Sequence, residues 1–257
     1  MLSTLWTGQS GMNANQNKLD AISNNISNSG TNGYKRVEVG FQDLMQYTLD
    51  RNGVPVNDKT SSTGTGVKTT SWKKDFSQGF LQETMRATDI TIDGAGFFRL
   101  TMPDGSDVYT RDGAFGVDSM GRIVDGRGNK VYLEYMPGYS EANVNFTSKN
   151  LLIDTYGSVF VKDGDKFNKV AELPIYTAMG DASFAPVGDN LFLPVNGVQV
   201  FRTRDADIYQ GYLEGANVDI AEEFSDMIMT QRAFQLSSKG ITTADEMWGM
   251  VNQLSSR

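Results

Sequence analysis

The residues best suited to chemistry in this sequence are five acidic side chains in its central part: Glu83, Asp89, Asp93, Asp104 and Asp107. Two carboxyl groups on either side of a glycosidic bond hydrolyse it when one is protonated and the other ionised. Aspartates at turns, however, ordinarily cap backbone groups. We therefore interpret these acids as turn residues and keep glycan hydrolysis as an alternative.

Two shorter motifs suggest a nucleophile and a phosphate loop. Ser71 and Lys74 match S-x-x-K, but the S-D-N and K-T-G elements that accompany this motif in penicillin-binding enzymes are missing. Gly94 and Gly96 stand in GAGFF after an alternating apolar run, yet a dinucleotide loop needs a third glycine and a following helix. Because Phe97 continues the apolar alternation, we expect a strand there instead.

Histidine and cysteine are absent from all 257 residues. This excludes thiolate nucleophiles, imidazole bases and metal sites built from either side chain. The acidic turns KDGDKF and DGRGNK also lack the alternating ligands and late glutamate of a calcium loop. We expect no catalytic residue, no cofactor and no metal.

The charge balance and the hydropathy pattern restrict the partners. A formal net charge of -8 repels nucleic-acid phosphates and anionic lipid heads. No apolar run reaches the roughly 18 residues of a membrane span, and the first residues lack the basic and apolar regions of a cleavable secretory signal. We expect no nucleic acid, no membrane insertion and no cleaved signal.

Apolar residues recur at steps of seven near both ends of the chain. Such a period predicts two helices, each with one apolar seam. Asp219 followed by Glu222 is typical of a capping box and predicts where the second helix begins. Gly8 and Gly11 weaken the first helix by about 1 kcal/mol each. The candidate seam residues are Leu5, Met12, Leu19, Ile22, Ile26, Ile220, Met227, Phe234, Ile241 and Trp248.

The region between the helices contains two segments that differ in composition. Residues 35–75 are rich in Gly, Ser, Thr and Asn and predict an extended, largely solvated connector, with Trp72 and Phe76 as candidate anchors at its end. Residues 76–214 alternate short β-branched runs with Gly, Asp and Asn turns, which is typical of an all-β sandwich or barrel. We predict an α+β protein with a discontinuous, coiled-coil-like helical domain (1–34 and 215–257) and a β-rich outer domain (76–214).

Motifs at both ends resemble one protein family. The run SGMNANQNKLDAISNNISNSGTNGYKR and the closing run ANVDIAEEFSDMIMTQRAFQLSSKGITTADEMWGMVNQL are similar to the terminal segments of the bacterial flagellar rod and hook proteins. GTGV, GAGFF, YTRDGAFGVDSMGRIVD and YQGYLEGANVD follow in that family's order. Within the family, GTGV and QGYLEGANVD are most similar to the distal rod branch.

The resemblance implies a structural subunit and not an enzyme. Members of this family are exported without a cleaved signal through the flagellar type III apparatus. They assemble with helical symmetry into a tubular drive shaft that crosses the periplasm, beside other rod and hook proteins. The candidate seam residues would then form the assembly interface, and Asn28, Gly33 and Tyr34 would form the turn that follows the first helix.

Three alternatives remain open from the residues alone. The chain resembles proximal rod proteins and other hook-family paralogues almost as well as the distal branch. The acids of the β region leave room for a glycan hydrolase that acts on peptidoglycan. A monomeric adhesive or binding module with a helical stalk would also have apolar terminal helices.

Overall fold

The computed structural model describes residues 2–44, 46–48, 62–164, 166–180 and 183–255. They form two compact units, and each unit gathers distant parts of the chain. Unit 1 takes the described residues of Met1–Ser27, Val37–Asp75 and Asp219–Arg257, and unit 2 takes those of Asn28–Arg36 and Phe76–Val218. A helix at each end and a β-rich middle confirm the α+β class. The three-part domain division predicted from the sequence stays a prediction.

Unit 1 contains both helices and six short strands. The first helix covers the residues in which the seven-residue period predicted it. The second helix begins directly after Asp219, its predicted cap residue. The elements are α1 (Leu2–Ser27), β1 (Val37–Glu38), β2 (Phe41–Asp43), β3 (Gln46–Thr48), β4 (Ser62–Gly64), β5 (Val67–Thr69), β6 (Lys73–Lys74) and α2 (Ile220–Ser255).

The two helices of unit 1 pack antiparallel. Near the start of α1, Gly8 lies against Ile241 of α2, whereas further along α1 the Nζ atom of Lys18 lies 3.1 Å from Oδ2 of Asp226. Residue numbers therefore rise along α1 as they fall along α2. Helix α1 has 26 residues and α2 has 36. Because Gly8 lies against Ile241, the last turns of α2 extend beyond Leu2, the first residue of α1.

A buried polar contact sets the register of the helices at the other end. The Nδ2 atom of Asn25 donates to Oε1 of Glu223 at 3.2 Å and to the carbonyl oxygen of Val37 at 3.0 Å. The backbone N–H of Val37 donates back to Oδ1 of Asn25 at 2.9 Å. All three residues are buried. A buried amide whose partners are in place only at one register disfavours sliding of the helices.

The segment predicted as an extended connector folds back on itself as an antiparallel ribbon. Strand β1 pairs with β6, β2 with β5 and β3 with β4, so that Val37 faces Lys74 and Asp43 faces Val67. The backbone N–H of Val67 also donates to Oγ of Ser10 on α1, at 3.2 Å. The high Gly, Ser and Thr content of residues 35–75 predicted a solvated connector. Composition does not show which backbone groups form hydrogen bonds with one another, so the strand pairing was not predicted. Residues 45 and 49–61 of this segment lie outside the described residues.

Unit 2 contains the other strands of the described chain, as the alternating runs predicted. They are β7 (Leu81–Glu83), β8 (Ile90–Asp93), β9 (Phe97–Thr101), β10 (Asp107–Thr110), β11 (Gly116–Val117), β12 (Ile123–Val124), β13 (Lys130–Val131), β14 (Glu134–Tyr135), β15 (Leu151–Ile153), β16 (Ser158–Asp163), β17 (Lys166–Glu172), β18 (Ile175–Ala178), β19 (Phe184–Gly188), β20 (Leu191–Pro194), β21 (Val200–Thr203), β22 (Asp207–Gln210) and β23 (Tyr212–Glu214).

These strands pair antiparallel throughout. A nine-stranded sheet runs β11-β12-β13-β9-β10-β20-β19, with β18 joining β9 to β21, and a four-stranded sheet runs β14-β17-β16-β15. Two separate pairs, β22 with β8 and β23 with β7, complete the unit. The main core lies among these sheets and includes Phe98, Val108, Phe146, Val159 and Ile208.

A second, aromatic cluster lies in the same unit. Phe97, Tyr109, Phe184 and Phe192 are buried together, and Phe76 packs against the cluster with its ring centroid 5.5 Å from those of Phe97 and Phe192. Phe76 is therefore an anchor of the kind the sequence predicted. Trp72, the other candidate anchor, belongs to unit 1 and is half exposed.

The GAGFF segment joins two strands, as expected. Gly94 and Gly96 have positive φ angles and connect β8 directly to β9. A Cβ at Gly96 would overlap the side chain of Ile175, so the glycine permits close packing. Among the described residues, neither helix has an apolar stretch long enough to span a membrane.

Candidate assembly surface

The predicted seam residues divide into three groups by exposure. Ile22 is buried, Ile220 and Trp248 are exposed, and the other seven are half-buried. The half-buried residues are Leu5, Met12, Leu19, Ile26, Met227, Phe234 and Ile241. The antiparallel pairing of α1 with α2 thus covers this seam only in part. Its role as an interface between subunits stays a prediction.

Glycines on α1 bring the two helices close together. A Cβ at Gly8 would lie 2.8 Å from Cγ1 of Ile241, and one at Gly11 would lie 3.2 Å from Oγ of Ser237. A larger residue at Gly8 would therefore displace Ile241. These glycines lower the helix propensity of α1, but they permit tight packing against α2. By contrast, a Cβ at Gly240 or Gly249 of α2 would meet no atom within 4 Å.

The start of α2 is capped as the sequence predicted. Oδ1 of Asp219 accepts hydrogen bonds from the backbone N–H groups of Ala221 at 2.8 Å and Glu222 at 3.2 Å. The carbonyl oxygen of Asp219 also accepts the N–H of Glu223. A cap of this kind stabilises a helix end by about 1 kcal/mol. Helix α2 therefore has a well-defined beginning.

A second apolar face on α2 is exposed, and the seven-residue period did not reveal it. Leu236 is 70% exposed and Leu254 is 77% exposed. At about 100° per residue, both lie about 160° around the helix from Phe234. The exposed face comprises Phe224, Ile228, Met229, Leu236, Met247, Met250, Val251 and Leu254. A large apolar surface left in solvent is typical of an interaction site.

A signal for this exposed face was present in the sequence. Phe224 and Ile228 stand four residues apart, as do Met247 and Val251, and Met250 and Leu254. Such spacing places both residues of a pair on one side of a helix. Together with the seam, these residues make α2 apolar around most of its circumference, which is typical of a helix buried on several sides.

The predicted turn residues lie where α1 ends. The carbonyl oxygen of Asn28 accepts the N–H of Thr31 at 3.0 Å, and Tyr34 is buried. Gly33 has a φ of +65°, and a Cβ there would lie 2.6 Å from the backbone N of Asp112. Only glycine combines that backbone conformation with so close an approach. Residues 28–36 belong to unit 2.

Acidic residues that could support glycan hydrolysis make structural contacts. Oδ1 of Asp104 accepts from the backbone N and Oγ of Ser106, and Asp107 forms an ion pair with Arg99. Oδ2 of Asp89 accepts from Oγ1 of Thr84 at 2.7 Å. The hydrogen bonds from Ser106 hold the pKa of Asp104 below its usual range. These contacts favour the turn interpretation for Asp104 and an ion-pair role for Asp107.

Paired terminal helices with an exposed apolar face, in a chain that also has a β unit with its own core, are typical of a subunit built for assembly. Three family profiles match the chain. Residues 5–35 match the flagella basal body rod protein, 91–161 the D1 domain of the flagellar hook proteins FlgE, FlgF and FlgG, and 209–254 the C-terminal segment of the FlgEFG rod proteins.

Full-length relatives agree with these profiles. The flagellar basal-body rod protein FlgG of Borreliella burgdorferi is 33% identical over 99% of both chains, and FlgG of Agrobacterium fabrum is 36% identical over 95% of both. The hook-basal body complex protein FlhP of Bacillus subtilis is 29% identical over 99% of this chain and 100% of its own. The chain belongs to the family of flagellar basal-body rod proteins. It is a structural subunit of the flagellar rod, of the distal (FlgG) type.

Proposed function

We propose that copies of this chain self-assemble with helical symmetry into the tubular drive shaft of the rod, through α1 and α2. The observation that carries this proposal is the exposed apolar face of α2. Neighbouring copies would cover that face and the half-buried seam, so the helices would form a coiled-coil-like layer in the assembly. Catalysis has no part in this function.

The free energy of apolar burial favours a second copy of the chain as the partner that covers the exposed face. Burying one large apolar side chain contributes about 1.5 to 3 kcal/mol, and the exposed face offers eight such residues to a neighbour. The seam and the exposed face lie on different sides of α2. A copy that uses two different surfaces for its two neighbours makes a heterologous contact, and repeated heterologous contacts that do not close give a helical filament.

The partners follow from the same proposal. A rod subunit would contact other rod and hook proteins above and below it and would reach the periplasm through the flagellar type III export apparatus. The part of α2 that extends beyond α1 carries Met250, Val251 and Leu254, all exposed. We infer that these last turns reach an axial neighbour.

The decisive experiment compares Leu236→Asp with Gln235→Asp. Both residues are exposed on α2, and both variants add one negative charge, but only Leu236→Asp removes an apolar side chain from the exposed face, because Gln235 is already polar. We expect Leu236→Asp to keep its helical circular dichroism and yet to be missing from purified basal bodies, with loss of swimming. We expect Gln235→Asp to assemble.

Leu236 is a sharper position for this test than Phe234. Because Phe234 is half-buried within the chain, Phe234→Asp would disturb both the pairing of α1 with α2 and any contact with a neighbour. Normal rods built from Leu236→Asp, seen by electron microscopy of isolated basal bodies, would show that the exposed face is not an interface.

A further inference from the structure

Asparagine directly precedes glycine at three places in the chain, and two of these pairs lie in unit 2. Asn32–Gly33 follows α1, and Asn196–Gly197 lies between β20 and β21. The third pair, Asn52–Gly53, lies outside the described residues. Because glycine has no side chain to shield its own backbone nitrogen, that nitrogen can attack the side-chain amide of a preceding asparagine. An Asn–Gly pair is therefore chemically reactive wherever the backbone leaves that nitrogen accessible.

The Asn196–Gly197 pair lies in an exposed turn. The N–H of Val198 donates to the carbonyl oxygen of Val195 at 3.0 Å and closes this turn around the pair. Both residues of the pair are exposed, and a Cβ at Gly197 would meet no atom within 4 Å. Within the described parts of the chain, neither the N–H of Gly197 nor the side chain of Asn196 makes a hydrogen bond. Both reacting groups are therefore accessible and solvated.

The Asn32–Gly33 pair has the same composition but the opposite surroundings. Gly33 is buried, and its N–H donates to the carbonyl oxygen of Glu214 at 2.7 Å. The carbonyl oxygen of Asn32 accepts a hydrogen bond from Nδ2 of Asn190 at 3.0 Å. Attack by the nitrogen of Gly33 requires that its hydrogen bond break and that the backbone leave its packed position. Such an opening is a rare event in a well-packed segment.

We propose that Asn196 is a site of spontaneous deamidation in the folded protein, and that the fold protects Asn32 from the same reaction. The backbone nitrogen of Gly197 attacks Cγ of Asn196 and forms a nitrogen–carbon bond. The side-chain nitrogen leaves as ammonia, and it takes up through water the proton that the nitrogen of Gly197 has lost. A second step adds water to one of the two carbonyl carbons of the cyclic imide, which opens to aspartate or isoaspartate. Water is the only co-reactant.

The modification changes the charge and the backbone of one exposed loop. Each event replaces a neutral amide by a carboxylate, which adds one negative charge to a chain whose formal net charge is -8. Isoaspartate also routes the main chain through the former side chain and so lengthens the turn by one carbon. The flanking segments stay anchored, because the N–H of Val195 donates to the carbonyl oxygen of Ser183 at 2.9 Å and β21 pairs with β18. The core of unit 2 is therefore left intact.

Peptide mapping by mass spectrometry tests the proposal on the isolated, full-length chain. The folded protein is held in a mildly alkaline buffer, and the fragment that contains Asn196 should gain about 1 Da as its amide becomes a carboxyl group. We expect Asn32 to react about a hundredfold more slowly, since its reaction follows the population of the locally opened chain. In guanidinium chloride the two asparagines should react at similar rates, because a glycine follows each of them.

Asn196→Gln is the test variant, and Asn143→Gln is its matched control. Glutamine would have to form a larger imide ring, which closes much more slowly, so we expect Asn196→Gln to abolish the change at this position. Asn143 is also exposed, but the side chain of Val144 shields the backbone nitrogen that follows it. We therefore expect Asn143→Gln to leave the reaction of Asn196 at its original rate.

Two results would overturn the proposal. Equal rates at Asn196 and Asn32 in the folded chain would show that the buried N–H of Gly33 gives no protection. An unchanged Asn196 in the folded chain, with both asparagines reacting in guanidinium chloride, would show that the exposed turn does not permit the attack. Neither result bears on rod assembly, which Leu236→Asp tests separately.

Discussion

Unit 2 buries a much larger share of its large apolar side chains than unit 1 does. In unit 2, Phe98 and Phe192 are fully buried in two adjoining clusters. In unit 1, Leu236 and Leu254 of α2 are mostly exposed. The β unit therefore completes its core within one chain, whereas the helical pair leaves apolar surface for other molecules. Self-association is thus expected to stabilise unit 1 far more than unit 2.

The largest effect is expected from Phe98→Ala in the core of unit 2. Removing a fully buried phenylalanine lowers the free energy of unfolding by about 3 to 5 kcal/mol. Urea unfolding followed in the tyrosine region of the near-ultraviolet spectrum measures this change. The tryptophans Trp6, Trp72 and Trp248 all lie in unit 1, so their fluorescence follows that unit separately.

Phe167→Ala is the control for this prediction. Phe167 lies on β17 of the same unit and is half exposed, so its loss should cost much less. Equal losses at Phe98 and Phe167 would mean that burial within unit 2 does not determine its stability. The contrast between the two units would then fail.

A smaller effect, with opposite signs, is expected from two glycines of the helical pair. Gly240→Ala should stabilise α2 by about 1 kcal/mol, because alanine favours a helix and the site is open. Gly8→Ala should destabilise the pair by about 1 kcal/mol, since Ile241 must move. Thermal unfolding followed by helical circular dichroism measures both. If both alanines stabilised, the close approach at Gly8 would be refuted.

The smallest effect concerns an ion pair on the surface of unit 2. Hydrogen bonds from Lys169 and then Arg202 lower the pKa of Glu172 to about 2. Because the folded pKa lies below the ordinary value of 4.5, the pair stabilises the protein above pH 4.5, and this contribution disappears as the pH falls toward 2.

The matching variant is Glu172→Gln. It should cost less than about 1 kcal/mol at pH 7, as exposed ion pairs do, and nothing near pH 2. Unfolding free energies of both proteins across this pH range measure the difference. A difference that grew on acidification would contradict the assignment. Agreement would show that this surface ion pair contributes little to the stability of unit 2.

Local patterns predicted much of this architecture. Seven-residue spacing predicted both helices, Asp219 predicted the start of α2, and alternating runs predicted the strands after Phe76. Each pattern depends on residues within a few turns or one strand, so the sequence reports it directly. The motifs at both ends also indicated the rod family, which the full-length relatives confirm.

Other features needed the tertiary structure. The polar segment 35–75 gave no sign of its pairing, because strand pairing depends on backbone groups that all residues share. The exposed face of α2 required knowing which side α1 covers. The tight packing of Gly8 required its neighbour Ile241, which is distant in the sequence.

Sequence alone thus determined the types of the elements, the apolar periodicity and the family, because these depend on short-range spacing and on motifs. Only the tertiary structure decided which apolar side chains are covered and which charges are buried together. Lys35 and Glu214 illustrate the difference. Either one, taken alone in the sequence, is an ordinary charged residue. The two form a buried ion pair only because folding brings together positions that are 179 residues apart.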